Sequence, residues 1–200
     1  MKRCKPDSTP SCVGGAMRIP PVGNNIPWLL LSGKVNPSGK LPYSYPAFPN
    51  SLLTYYHKPS DVQNNNQGAY NYVGQVNNLY DFGYGLSYSE FKYSNMILNK
   101  VEYFESDTIL MSVNLKNISE IPGYETIQVY SSDLFASITP DVKRLRRFSK
   151  VYLKGGEEKI INFTLPINEL AFVNYNNEYV LEPGKFKISI NNLSQEITVK

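Results

Sequence analysis

Ile109, Met111, Val113 and Leu115 alternate with Leu110, Ser112 and Asn114. Successive side chains of an extended backbone point to opposite faces, so such a row is a strand with one buried side and one wet side. Leu110 is the apolar exception on the outer row. The rhythm returns at Ile127 and Val129, flanked by Gln128 and Tyr130, and at Ile161, Phe163 and Leu165, where Pro166 stops the strand. Val151 and Leu153 run into a Gly155-Gly156 turn. Leu170 to Val173 reads as a short strand, and Asn176-Asn177 as a tight turn. Pro183-Gly184 leads into Phe186, Ile188 and Ile190, and Ile197 with Val199 forms the last strand. Roughly six to eight short strands, about ten residues apart, predict a mainly β antiparallel sandwich of immunoglobulin-like architecture over about 91–200.

No cysteine follows Cys12, and Trp28 lies outside this module. The disulfide and core tryptophan of antibody domains are therefore missing, and a fibronectin type III-like sandwich fits better. Composition agrees: 42% apolar and 18% charged residues allow a packed core, while 16 tyrosines, 14 prolines and 13 glycines favour strands and turns over helices.

The first ninety residues are organised differently. Residues 1–25 carry Pro6, Pro10, Pro20 and Pro21 and hold no sustained period. Ile26-Pro27-Trp28-Leu29-Leu30-Leu31 reads as a short helix with Pro27 at its first position and Gly33 at its end. From 33 to 90, Pro37, Pro42, Pro46, Pro49 and Pro59 prevent helix and confine strands to edges. A loop of that length suits a strap crossing the surface of something larger. The expected division is 1–46 as an irregular N-terminus and remnant of a preceding α/β domain, 47–90 as a connector, and 91–200 as the sandwich.

Several function classes find little support. A net charge of +3 is too small to argue for nucleic acid, and the Lys143-Arg144-Leu145-Arg146-Arg147 cluster reads as a solvated strand edge. No run of 18 apolar residues points to a membrane span, and no apolar stretch follows the charged N-terminus as a signal peptide would require. Cys4 and Cys12 fit either a local disulfide or two unpaired thiols, and with one histidine they make no convincing zinc site; no metal or cofactor is expected. N-x-[ST] triplets occur at Asn117, Asn162 and Asn192. Asn117 and Asn192 are expected to be the accessible ones, since Asn162 falls inside a strand pattern.

Seven segments carry a family resemblance. Gly33 to Pro42, continuing to Pro46, precedes Tyr55-Tyr56-His57-Lys58-Pro59 and then Phe82-Gly83-Tyr84-Gly85-Leu86-Ser87-Tyr88. Gly123 to Tyr130, Lys143 to Phe148, Tyr152 to Glu157 and Leu181 to Phe186 follow in order. The series resembles the C-terminal portion of glycoside hydrolase family 3, the family of many β-glucosidases and β-xylosidases, including its fibronectin type III-like domain. The alanine-rich helix usual before the first segment is replaced here by Pro27 and the Trp28–Leu31 run. The resemblance implies a retaining glycosidase, in which a carboxylate nucleophile and an acid/base stand about 5–5.5 Å apart. In that family the nucleophilic aspartate belongs to an N-terminal barrel and the acid/base residue precedes the Lys-Leu-Pro segment. No residue of this chain inherits either role, so the chain alone is expected to be inactive. The implied partners are upstream catalytic domains of the same enzyme, with oligosaccharide substrate reached only through them and no nucleic acid or membrane. The implied location is extracellular or periplasmic.

Residue by residue, improvised chemistry is weakly supported. Asp81, beside Phe82 and Tyr84, reads as a turn aspartate bonded to nearby backbone N–H groups. Glu102, Glu105, Asp107, Glu157 and Glu158 read as solvated carboxylates at strand ends or turns. His57 has no nucleophile elbow near it and is expected to dock the connector. Gly83-Tyr84-Gly85 lacks the third glycine and the βαβ setting of a dinucleotide loop, and its glycines are expected to permit turns between packed rings. Tyr43, Tyr45, Tyr55, Tyr56, Tyr70 and Tyr72 could stack on sugar faces, but packing against a neighbouring domain is the favoured expectation. The alternative function is a stand-alone carbohydrate- or protein-binding sandwich.

Overall fold

A computed structural model describes residues 26–48, 53–62 and 78–200. A six-residue helix α1 (Ile26–Leu31) stops before Gly33, whose N–H donates to Leu30 O. A two-stranded ribbon pairs β1 (Tyr45–Pro46) with β2 (Asn78–Tyr80), and a single 3-10 turn, Pro59–Val62, lies between them in sequence.

The sandwich follows. Its strands are β3 (Phe91–Leu98), β4 (Glu102–Tyr103), β5 (Thr108–Asn117), β6 (Gly123–Asp133), β7 (Arg144–Leu153) and β8 (Glu158–Pro166). The last four are β9 (Phe172–Val173), β10 (Tyr179–Val180), β11 (Gly184–Ile190) and β12 (Leu193–Val199). One sheet has the order β4-β12-β11-β6-β7 and the other β3-β5-β8, while β9 and β10 form a small ribbon. Every pairing is antiparallel except β12 with β4.

Period two governs the core as the sequence predicts. Ile109, Met111, Val113 and Leu115 of β5 are buried, while Leu110 is 50% exposed. They face Ile127 and Val129 of β6 and Ile188 and Ile190 of β11 across the gap between sheets. Removing such rows from water is the main force holding the sheets together, at about 25 cal/mol per Å² of apolar surface. Hairpin β11–β12 turns through Asn191 and Asn192, with Asn191 at φ 52, the left-handed geometry that a two-residue hairpin demands.

Two local expectations change. Leu170 is no strand residue: it ends a buried 3-10 turn, Ile167–Leu170, and only Phe172 and Val173 pair, with β10 across a turn at Asn177 (φ 61). Asn117 is fully buried, because it keeps the inward phase of Ile109 to Leu115. Its amide donates to Ile121 O at 2.8 Å, and its Oδ1 accepts from Ser119 N and Oγ. Asn162, inside β8, faces outward and is exposed, as is Asn192. Strand membership does not hide a side chain; its phase does.

Candidate functional site

The strap lies on the sandwich, and a handful of directed contacts hold it there. Asn36 is the hub. Its amide donates to Ser89 Oγ at 2.6 Å and Pro122 O at 3.0 Å, while its Oδ1 accepts from Ser87 Oγ and Tyr88 N, both at 2.9 Å. One planar side chain thus meets the end of the aromatic-glycine signature and the loop before β6. Tyr88 Oη donates to Leu30 O at 2.6 Å, tying helix α1 to the same point.

The signature glycines let backbones meet. Leu41 N–H donates to Tyr84 O and Gly83 N–H to Leu41 O, each at 2.8 Å. Gly83 sits at φ +84, a region that side chains oppose. A Cβ on Gly85 would stand 2.1 Å from Gly39 O. Gly83 therefore serves a turn, as expected, and Gly85 a close backbone crossing.

Farther along, Lys40 Nζ lies 3.4 Å from Glu125 Oε2, and Tyr93 Oη donates to Glu125 Oε1 at 2.9 Å. Burial first, then the Glu125 charge and its hydrogen bond, push the Tyr93 hydroxyl pKa far up. Lys58 reaches Asp141 Oδ1 at 2.8 Å and donates to Thr139 O at 2.6 Å. At His57 the connector meets the sandwich through its backbone: the His57 carbonyl accepts from Val142 N–H at 3.0 Å, while Nδ1 stays within the connector, 2.8 Å from Thr54 O.

The tyrosines divide into two groups. Tyr55 stacks on Phe82 (centroids 4.2 Å, 23°) and meets Tyr56 and Tyr130 edge-on, so it is packing. Tyr43, Tyr45, Tyr80 and Tyr84 form a run of neighbouring rings, with centroid steps of 6.2, 6.2 and 4.7 Å, and all four are exposed. Leu86, at 70% exposure, and Tyr88 are also exposed, in the signature itself. Tyr70, Tyr72, Cys4 and Cys12 lie outside the described residues.

Other sequence candidates are scattered. Asp81 is exposed; among the described residues its carboxylate accepts from the Asn78 side-chain amide at 3.0 Å, and its own carbonyl takes Tyr84 N–H. Asp107 accepts from Phe104 N–H and pairs with Lys100, which hold its pKa below the usual range. Glu157 is lowered in the same way by Lys154 N–H and Lys159. Glu102, Glu105 and Glu158 are exposed as expected.

The basic cluster departs from a simple solvated edge. Its arginines lie on edge strand β7, but Arg147 makes a two-pronged pair with Glu169 at 2.7 and 2.6 Å, and Arg144 pairs with Asp141. Lys143 Nζ sits 4.9 Å from the Tyr130 ring centroid. Arg146 turns inward to Ser131. The residues that sequence reading missed are Asn36, Glu125 and the inner end of β6. The last left a signal, since the inward row Ile127 and Val129 turns polar at Ser131 and Asp133.

Among the described residues no group of three or more His, Cys, Asp or Glu could hold a metal, and no helix is long and apolar enough to cross a membrane.

Against known proteins, the family model for the fibronectin type III-like domain matches residues 125–194. The periplasmic β-glucosidase of Salmonella typhimurium is 36% identical over 174 residues, covering 84% of this chain and 23% of that protein. Thermostable β-glucosidase B of Acetivibrio thermocellus is 34% identical, covering 86% of this chain and 24% of its own length. The crystal structure of the Listeria innocua β-glucosidase in complex with gluconolactone superimposes with a TM-score of 0.76 at 37% identity, over 86% of this chain and 25% of that one. This chain therefore spans about a quarter of the length of the relatives it matches. With more than four-fifths of its length matched to β-glucosidases and its fibronectin type III-like domain recognised, the chain belongs to glycoside hydrolase family 3, as the counterpart of the C-terminal portion of its β-glucosidases.

Proposed function

We propose that this chain is the non-catalytic C-terminal portion of a β-glucosidase-like hydrolase, in which strap and sandwich brace the catalytic domains. In this reading 1–46 is the end of a preceding α/β domain, 47–90 the connector and 91–200 the fibronectin type III-like domain. The observation that carries it is the outer face of the strap. Tyr43, Tyr45, Tyr80, Tyr84, Leu86 and Tyr88 stay exposed although the strap's other side is fixed to the sandwich. Exposed rings in a contiguous run favour a covering surface. The nucleophile and the acid/base residue belong, in this reading, to sequence upstream of this chain, and sugar is met only there.

The test is the mass of the native product, by immunoblot of source-cell and medium fractions. A band several times larger than 22.7 kDa is expected. A band at 22.7 kDa would sink the reading. The purified chain should also release no sugar from an aryl β-glucoside.

A second reading rests on the Tyr43–Tyr45–Tyr80–Tyr84 run, which offers ring faces to solvent as a carbohydrate-binding surface does. Retardation of the chain in affinity gels with soluble glucan, lost on Tyr84→Ala, would favour it.

A further inference from the structure

We propose that the open end of the sandwich is a binding site for a small oxyanion, a carboxylate or phosphate group, with Arg146 as its two-pronged donor. The site begins in the phase of β6. Ile127 and Val129 fill the core, and the next inward positions are Ser131 and Asp133. At that point the gap between the sheets changes from apolar to polar, over a floor made by buried Leu170 and Phe186. A cavity of about 100 Å³ remains there, room for about three water molecules or one phosphate group.

Arg146 reaches this mouth through a bulge. Val129 pairs with Arg147 and Tyr130 with Leu145, so Arg146 is the unmatched residue of β7. Bulges re-aim side chains, and here Arg146 Nε donates to Ser131 Oγ at 2.7 Å. That bond orients the guanidinium, and among the described residues its two terminal nitrogens meet no other acceptor.

The surrounding charges are spent elsewhere. Arg147 is occupied by Glu169, while Lys58 and Arg144 share Asp141. Among the described residues no carboxylate lies within ion-pair distance of Arg146. The remaining residues, 1–25, 49–52 and 63–77, contain one acidic side chain, Asp7. Partial burial makes the Arg146 charge costly: burial, followed by the nearby Arg144 charge, pulls its pKa down, and the charges of Glu169, Tyr55 and Asp141 offset this only in part. Two oxygens of a carboxylate or phosphate group answer both of its terminal nitrogens.

Asp133 narrows the choice. It accepts from Phe135 N–H at 3.1 Å, and burial, then the Glu182 charge, raise its pKa. A ligand that brings its own hydroxyl hydrogen satisfies Asp133 while its oxyanion meets Arg146. Phosphate monoanion and a hydroxylated carboxylate qualify; sulfate does not.

The test is a backbone-amide NMR titration of the full chain at constant ionic strength with phosphate, glucuronate, sulfate and glucose. Saturable shifts centred on Ser131, Asp133 and Arg146 are expected with phosphate or glucuronate, and whichever binds identifies the source of the oxyanion. Sulfate should bind more weakly. Arg146→Gln, which keeps a donor for Ser131, should weaken binding by about tenfold or more, while Lys187→Gln on the exposed face of β11 leaves it unchanged. Should Arg146→Gln misfold, Arg146→Lys keeps the charge without the fork and should lose a smaller factor. Shifts that stay linear to about 10 mM, equal affinity in the Arg146 variants, or equal response to neutral glucose would overturn the proposal.

Discussion

The sandwich and the strap are built on opposite principles. The sandwich is held by area: rows of apolar side chains, buried nearly completely, with every strand of the two large sheets contributing. The strap is held by points: Asn36, the Gly85–Gly39 crossing, Lys40 on Glu125 and Lys58 on Asp141. Area tolerates change of shape if volume and polarity are kept. Points do not, since each one rests on a few atoms at fixed distance. The sandwich should therefore lose stability as a whole, and the strap should be releasable from a sandwich that stays folded.

The largest effect belongs to the core. Leu115 is completely buried at the centre of the apolar cluster. Leu115→Ala should cost about 2–5 kcal/mol, read as a lower urea midpoint for the whole chain. A loss confined to the strap would break the comparison.

Gly85→Ala comes next and should separate the two regions. The new methyl would collide with the carbonyl of Gly39, a backbone atom that cannot rotate away. About 1–3 kcal/mol is expected, drawn from strap docking. Limited proteolysis should cut near Lys34 and Lys40 while the far-ultraviolet signal of the sheets persists. Asn36→Ala should do the same more weakly, by about 1–2 kcal/mol, because water can reach some of the partners it leaves behind. Asn36→Asp sharpens the test. It keeps the acceptor for Tyr88 N–H but sets a carboxylate oxygen against Pro122 O, so it should release the strap at least as fully as alanine.

How much could be read in advance follows the same division. The alternation of Ile109 to Leu115 and the Asn176-Asn177 turn are local patterns, legible because burial repeats with the backbone's own period. Asn117 escaped because its phase, rather than its residue type, decides its burial. Arg146 escaped because a bulge shifts the register by one residue, and no composition of β7 announces that. Asn36 is 53 positions from Ser89, and nothing local to either predicts their meeting. The aromatic-glycine signature was readable as a pattern, but its reason, a crossing of Gly85 over Gly39, exists only once both segments are placed.

The smallest effect is the most selective, and it concerns Asp141. Burial raises its pKa, yet hydrogen bonds from Lys58 and Arg144, and then their charges, outweigh burial and hold it below the usual carboxylate range. A folded-state pKa below the unfolded one means that the stabilisation is present above the unfolded value. It is lost as pH falls from the ordinary aspartate range through the lower folded value. Lys58 belongs to the strap and Asp141 to the loop before β7, so this titration loosens the strap. Glu169, lowered by Arg147, titrates within the sandwich and cannot mimic it. The reporter is the Val142 amide, which donates to His57 O beside the latch. Its hydrogen exchange should accelerate on acidification while the amides of β5 stay protected, and Asp141→Asn should show fast exchange at neutral pH with no further acid step. If Val142 and β5 instead lose protection together, strap and sandwich form one cooperative unit, and points and area are not separable in this molecule.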